Sequence, residues 1–282
     1  MPIAGITQGL GIGGGSAATI SGAPIGGATP LPNALSGLFD GGDDYLTVNE
    51  SSLFTTGDCT ISLWFKSAGL PGSAAYDYMF QLSAVTAGGY DRAVGIRGTG
   101  SDAQIVCNTY GSLGGWDKQF TNTSIAVDTW YHVAAVFTTG SAQVYFNGVD
   151  KGSKTLDWST AGLYTATNIG GMVYDSANYF NGNIDEVSVF HSALSSSDIS
   201  ALRGGASAGS LGAPADLDDL SPRPVGWWRC GDSTGDTDSG GGAPANTDVI
   251  GTVVNKGSVN TGSGQGNMTN GQASLYSSSV PS

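Results

Sequence analysis

Basic residues are scarce in this chain. Ten lysines and arginines stand against 23 aspartates and glutamates in 282 residues, a formal net charge of −13 at pH 7. Binding to phosphate backbones needs clustered Lys or Arg, and no such cluster occurs, which excludes nucleic acid as a partner. Charge of either sign is thin, at 12% of residues; acidity this diffuse serves solubility. No uninterrupted apolar run approaches the roughly 20 residues of a membrane-spanning helix, so no membrane insertion is expected. The opening stretch MPIAGITQGLGIGGGSAATI has no positive n-region and is broken by glycine, which argues against a standard secretion signal. Cysteine is limited to Cys59, Cys107 and Cys230, an odd number without metal-ligand spacing. That pattern implies no disulfide framework and is consistent with folding in a reducing compartment. Helical periodicity is almost absent.

Glycine is abundant instead, with 46 residues, beside a 39% apolar fraction. Apolar content of that size with many turn residues predicts a packed β protein, not a solvated disordered chain. Composition divides the chain into three zones: an arm over residues 1–37, a body over 38–203 and an extension over 204–282. No charged residue occurs from Met1 to Phe39. Such an arm cannot build a core of its own and becomes ordered by lying on another surface, which points toward an assembly.

The body alternates with a period of two. CTISLWFK (59–66) sets Cys59, Ile61, Leu63 and Phe65 on one face and Thr60, Ser62, Trp64 and Lys66 on the other. WYHVAAVFTTG (130–140) and AQVYFNGVDKG (142–152) form two strand-like runs around a short turn, and Asn147-Gly148 supplies a type I′ hairpin pair. YDYMFQLS, RAVGIR, AQIVCNT and NIDEVSVFH add further strands. The fold class expected is all-β, a two-sheet antiparallel jelly-roll sandwich with an N-terminal arm and a C-terminal tail. ALSSSDISALR carries a capping box, Ser195 with Asp198, so a short helical turn should close an open end of the sandwich with Ile199 and Leu202. The extension contains PVGWWRCGD (224–232), too little apolar sequence to fold alone. It is expected to add a strand to this sandwich or to a neighbour's sheet edge.

FDGGDDYLTV (39–48), ISLWFK (61–66), WYHVAAVF (130–137), VYFNGV (144–149) and YFNGNIDEVSVFHSALSSSDISAL (179–202) occur in order. Together they resemble the laminin G-like jelly-roll domain of the concanavalin A-like lectin and glucanase superfamily. That resemblance implies a structural calcium near Asp40, Asp43 and Asp185, with Asp44 beside them, since hard oxygen ligands suit that ion; the same aspartates equally suit a tight turn. It also implies glycan binding through aromatics in loops or on a concave face. Tyr110, Trp116 and Trp158 are the candidates, with Tyr90, Tyr174 and Tyr179 in similar turn-prone contexts.

Catalysis is not expected. The superfamily's hydrolases carry an E-x-D-x-x-E run, absent here, and neighbouring Asp185 and Glu186 should point to opposite faces of a strand. His132 and His191 show no nucleophile turn beside them. Domains of this kind work outside cells, yet the chain shows no export signal and no cysteine framework. Phage virion proteins satisfy both conditions. The role expected is therefore a virion structural protein (capsid decoration, head fibre or tail fibre) partnered by copies of itself, other virion proteins and host-cell glycans. The alternative is a cellular carbohydrate-binding adhesin module at the cell surface, and a degenerate glycoside hydrolase is the weakest reading.

Overall fold

The computed structural model describes residues 31–48, 51–53, 57–84, 90–109, 117–156, 164–171, 178–258, 268–270 and 274–281. In chain order the strands are β1 (Ser36–Asp40), β2 (Leu46–Val48), β3 (Cys59–Ser67), β4 (Tyr76–Ala84), β5 (Tyr90–Gly98), β6 (Ala103–Asn108), β7 (Asp117–Gln119), β8 (Trp130–Thr138) and β9 (Ser141–Phe146). There follow β10 (Val149–Thr155), β11 (Tyr164–Ile169), β12 (Asn181–Phe190), helix α1 (Ser196–Leu202), β13 (Gly226–Trp228), β14 (Thr237–Asp238), β15 (Ile250–Val253), β16 (Met268–Asn270) and β17 (Leu275–Ser277).

They form two antiparallel sheets. The first runs β10-β9-β8-β3-β12-β1-β17, with β13 also paired to β12; the second runs β14-β15-β16-β2-β11-β4-β5-β6-β7. Period-two alternation supplies the core between them. Cys59, Ile61, Leu63 and Phe65 of β3 meet Phe80, Leu82, Val94, Ile96, Ile105 and Cys107 of the opposing sheet, all essentially without exposure. Asn147 (φ 48°) and Gly148 (φ 71°) join β9 to β10 in the tight hairpin that the sequence predicts.

The extension belongs to both sheets. On β12, residues 181–184 pair with β1 and residues 187–189 pair with β13, so β13 continues the line that β1 leaves. Strands β14 to β16 prolong the second sheet beyond β2, and β17 pairs with β1. Trp228, Ile250, Val253 and Tyr276 enter the main core. The strand expected from PVGWWRCGD thus pairs within the same sandwich.

Two local expectations are corrected. Helix α1 forms with the Ser195/Asp198 capping box, but Ile199 and Leu202 do not plug an open end. They join Ala134, Val136, Tyr145, Phe190, Leu217 and Trp227 in a second apolar cluster, which covers the outer face of the first sheet. That cover explains why Ser62 and Trp64, on the non-core side of β3, are buried as well. Strict alternation also fails on β12. The register with β3 shifts between Asp185 and Ser188, and Glu186 takes φ 48°. One extra residue in a strand is a β-bulge, and it lets Asp185 and Glu186 leave the core side together while Ile184 and Val187 both stay in it.

Candidate functional site

The outer face of the first sheet is covered by α1 and the segment up to Leu220; on the opposite side of the sandwich, the outer face of the second sheet carries a row of buried polar side chains along its centre. Core residues alternate along its strands: Phe80 and Leu82 on β4, Val94 and Ile96 on β5, Ile105 and Cys107 on β6, Ile169 on β11. Their neighbours therefore face outward. Cross-strand register places Thr47, Asn168, Gln81, Ala93 and Asn108 side by side across β2, β11, β4, β5 and β6. At strand spacings of about 4.8 Å, Asn168 to Asn108 spans about 14 Å.

Three of these are carboxamides, all buried: Gln81 at 0%, Asn168 at 2% and Asn108 at 6% exposure. Neither Oε1 nor Nε2 of Gln81 has a partner, and Oδ1 of Asn108 and of Asn168 have none. A buried polar atom without a partner costs about 1–3 kcal/mol, and native proteins hold few of them. Three in one row is a concentration that stability alone does not account for.

Aromatic side chains lie beside the row. Asn108 donates from Nδ2 to Tyr78 Oη at 2.7 Å. The Tyr78 ring lies close over Gly95 of β5, where an added Cβ would come within 3.0 Å of Tyr78 Cδ1 and 2.6 Å of the Asp77 carbonyl oxygen. Only glycine permits that approach. Tyr76 stacks with Tyr78, with ring centroids 6.0 Å apart and planes 10° off parallel. The Arg97 guanidinium stands 5.3 Å from the Tyr76 ring centre, within the range of a cation–π contact, and its Nη1 donates to Gln119 Oε1 at 2.9 Å. The face thus offers stacked rings, amide donors and acceptors, and one cationic fork.

Tyr110, Trp116, Trp158 and Tyr174 lie outside the described residues. Tyr179 forms a stacked pair with Tyr45, centroids 6.4 Å apart, and its ring packs over Gly171. Burial raises the Tyr179 hydroxyl above its ordinary pKa, with Tyr45 and Asp43 adding to the effect. Asp40, Asp43 and Asp44 do converge, with carboxylate oxygens within 4.8 Å of one another. Asp40 accepts from Gly42 N at 2.7 Å, and Asp44 accepts from Asp40 N at 3.0 Å, the turn-bracing role of Asp. Burial raises the pKa of Asp44. These are donors of the type calcium takes, three toward the six to eight it needs.

Asp185 is not among them. Asp40 pairs with Asn181, four positions from Asp185 and so about 13 Å away along the strand. Asp185, at 0% exposure, belongs instead to a buried ionic centre where β1, β12 and β13 meet. Its Oδ2 accepts from Asn33 Nδ2 at 3.0 Å. Glu186 takes Arg229 Nε at 2.8 Å and Trp227 Nε1 at 2.7 Å. Arg229 also donates to the Pro32 carbonyl at 2.6 Å, and Asp232 accepts from the amides of Ala34 and Leu35. Burial, reinforced by the charge of Glu186, raises the pKa of Asp185 well above the usual carboxylate range. This centre fastens residues 32–35 to the body.

His132 is fully buried, and its partner Ser62, whose Oγ lies 2.8 Å from Nε2, stands within β3 and not at a nucleophile turn. The pair is buried beneath the second apolar cluster. Burial, with help from the Arg203 charge, pushes His132 down to about 3, so the imidazole is neutral. Its Nδ1 has no partner, and the acid that orients the histidine of a catalytic triad is missing among the described residues.

The amide row and the Tyr76–Tyr78 pair were not among the sequence candidates. A signal existed in YDYMFQLS: aromatics two apart on one face, and a glutamine between two core residues. Its register against Asn108 and Asn168, both much further along the chain, is visible only in the folded sheet.

A family model described as the concanavalin A-like lectin/glucanases superfamily matches residues 40–200. No curated protein matches the chain. Among solved structures, a Bacteroides ovatus protein provisionally assigned to carbohydrate binding superposes with a TM-score of 0.55 at 16% identity; the match covers 88% of this chain and 60% of that one. A heptameric SAP-like pentraxin from Limulus polyphemus reaches 0.47 at 16% identity, over 65% and 89%. Domain 4 of the arabinanase AbnA from Geobacillus stearothermophilus, solved with arabinotriose, reaches 0.42 at 20% identity, over 61% and 88%.

Proposed function

The chain belongs to the concanavalin A-like lectin/glucanases superfamily, and from that premise we propose that it is a glycan-binding module whose ligand lies on the outer face of the second sheet. The observation that carries this reading is Gln81, fully buried with both amide atoms unpartnered, in register with Asn168 and near Asn108. Carboxamides supply donor and acceptor together, which suits sugar hydroxyls, and the half-buried Tyr76, backed by Tyr78, supplies flat apolar surface for a sugar ring.

Gln81→Met separates this reading from a structural one. It keeps the volume and removes the amide, so the free protein should melt at the same or a higher temperature, since an unsatisfied buried group is gone. Affinity for glycans found on an array should fall at least tenfold by calorimetry, as expected for losing a buried polar contact. No glycan binding by the wild type, or full binding by the variant, defeats the proposal.

The function is binding without hydrolysis. Asp185 and Glu186 are engaged with Asn33, Trp227 and Arg229 inside the protein. We place the module in a bacteriophage particle, where the uncharged residues that precede Leu31 would lie against copies of the chain or other particle proteins while the glycan face meets the host. Composition supports this setting. Mass spectrometry of purified particles should recover the chain; recovery from a cell envelope and not from particles would favour the adhesin alternative.

A further inference from the structure

We propose that the glycan bound on this face carries a carboxylate, and that Arg97 takes it through the Nε–Nη2 edge of its guanidinium. The inference rests on the glycan-binding reading above and narrows its ligand to sugars bearing a carboxyl group, uronic or sialic.

The other four arginines are engaged within the chain, Arg92 being buried with its Nη2 donating to the Gly57 carbonyl at 2.9 Å. Arg229 pairs with Glu186, and Arg223 pairs with Asp218. Arg203 directs both terminal nitrogens at backbone carbonyls of Ala206, Ser207 and Ser210. Arg203 also keeps its Nε buried without a partner, but it is enclosed at 1% exposure, whereas Arg97 is half-exposed. The Arg97 Nη1 donates to Gln119, its plane is supported by Tyr76, and its Nε is without a partner. Among the described residues no carboxylate pairs with it, in a chain that holds 23 acidic side chains.

A guanidinium nitrogen removed from water without an acceptor is unfavourable. Held by Gln119 on one side and by an aromatic ring beneath, the fork has its remaining edge fixed in direction. That edge matches a carboxylate bidentately, with two parallel N–H···O bonds. A neutral hydroxyl fills only half of such an edge.

Position sets the size of the ligand. Arg97, Gly95 and Ala93 share the outward face of β5, so the cation sits about 13 Å from the amide row, with Tyr78 and Tyr76 between. A ligand that touches both is an oligosaccharide. The net charge of −13 opposes an anion, but screening confines that repulsion to about 8 Å at physiological ionic strength. The Arg97 contact acts at hydrogen-bonding distance on a partly dry surface, where its attraction dominates.

The test uses the full chain and three sets of compounds: uronic-acid oligosaccharides, sialylated oligosaccharides, and the methyl esters of both, with neutral oligosaccharides beside them. One carboxylated set should bind at least tenfold more tightly than its own esters, the increment of a charge-assisted pair, and the set that does so identifies the source. Arg97→Gln should erase that difference, while Arg97→Lys restores part of it. Because the esters are compared on the unaltered protein, the result does not depend on how the variants fold. Acid and ester bound equally well would overturn the inference and leave the glycan reading intact. No binding of any compound would overturn both.

Discussion

Glu186→Gln should destabilise the protein by about 3–5 kcal/mol, the usual cost of removing one partner from a buried ion pair. Arg229 is 7% exposed and Glu186 4%, so the substitution leaves a guanidinium in a dry site facing a neutral amide. Asp185→Asn, one residue away, should do the opposite. Burial and the Glu186 charge hold the Asp185 carboxyl protonated well above its ordinary range, so the folded state binds that proton more tightly than the unfolded chain does. The stability it contributes is present at low pH and is lost as pH rises through the folded-state pKa. Asparagine mimics the protonated form. The Asp185→Asn variant should therefore match the wild type at low pH and exceed it at higher pH, with a flatter dependence between. Urea unfolding of both variants across a pH series checks the pair. Equal losses for the two would show that the centre does not divide its charge in this way.

Trp228→Ala carries the second large effect. Trp228 is fully buried in the main core, and its strand pairs with β12 opposite Val187. Aromatic-to-alanine changes in a core cost about 3–5 kcal/mol. The Trp228 ring also packs close over Gly226 and beside Leu53, so the cavity would open where the extension meets the body. Chain shortened to residue 203 should fare worse, losing β13 to β17 and the partner of Glu186 together, and should lack a cooperative melt. A shortened chain that melts sharply at the wild-type temperature would show that the extension contributes nothing to the body.

The two-layer body was legible because alternation holds on β3, β8, β9 and the hairpin at Asn147-Gly148, where one face is core and turn chemistry leaves one choice. Legibility failed at β12 for a definable reason. A bulge with Glu186 at positive φ moves one residue out of phase, and no rule of alternation reports where that happens. It turned an expected opposition of Asp185 and Glu186 into adjacency, and Asp185 from a calcium ligand into part of an internal salt-bridge centre. The destination of α1 was misjudged because a capping box states where a helix starts, not which surface it covers. The amide row was missed because each member is ordinary alone; its meaning lies in register, which depends on bulges at Tyr78/Phe80 and Leu82/Ser83 as well.

β1 pairs with β12 on one side and with β17 on the other, and Ser36 Oγ donates to the Ser279 carbonyl at 2.6 Å. The first and last described strands are therefore laced together, so a pull that peels β17 away would bare the edge of β1 before it reached the rest of the layer.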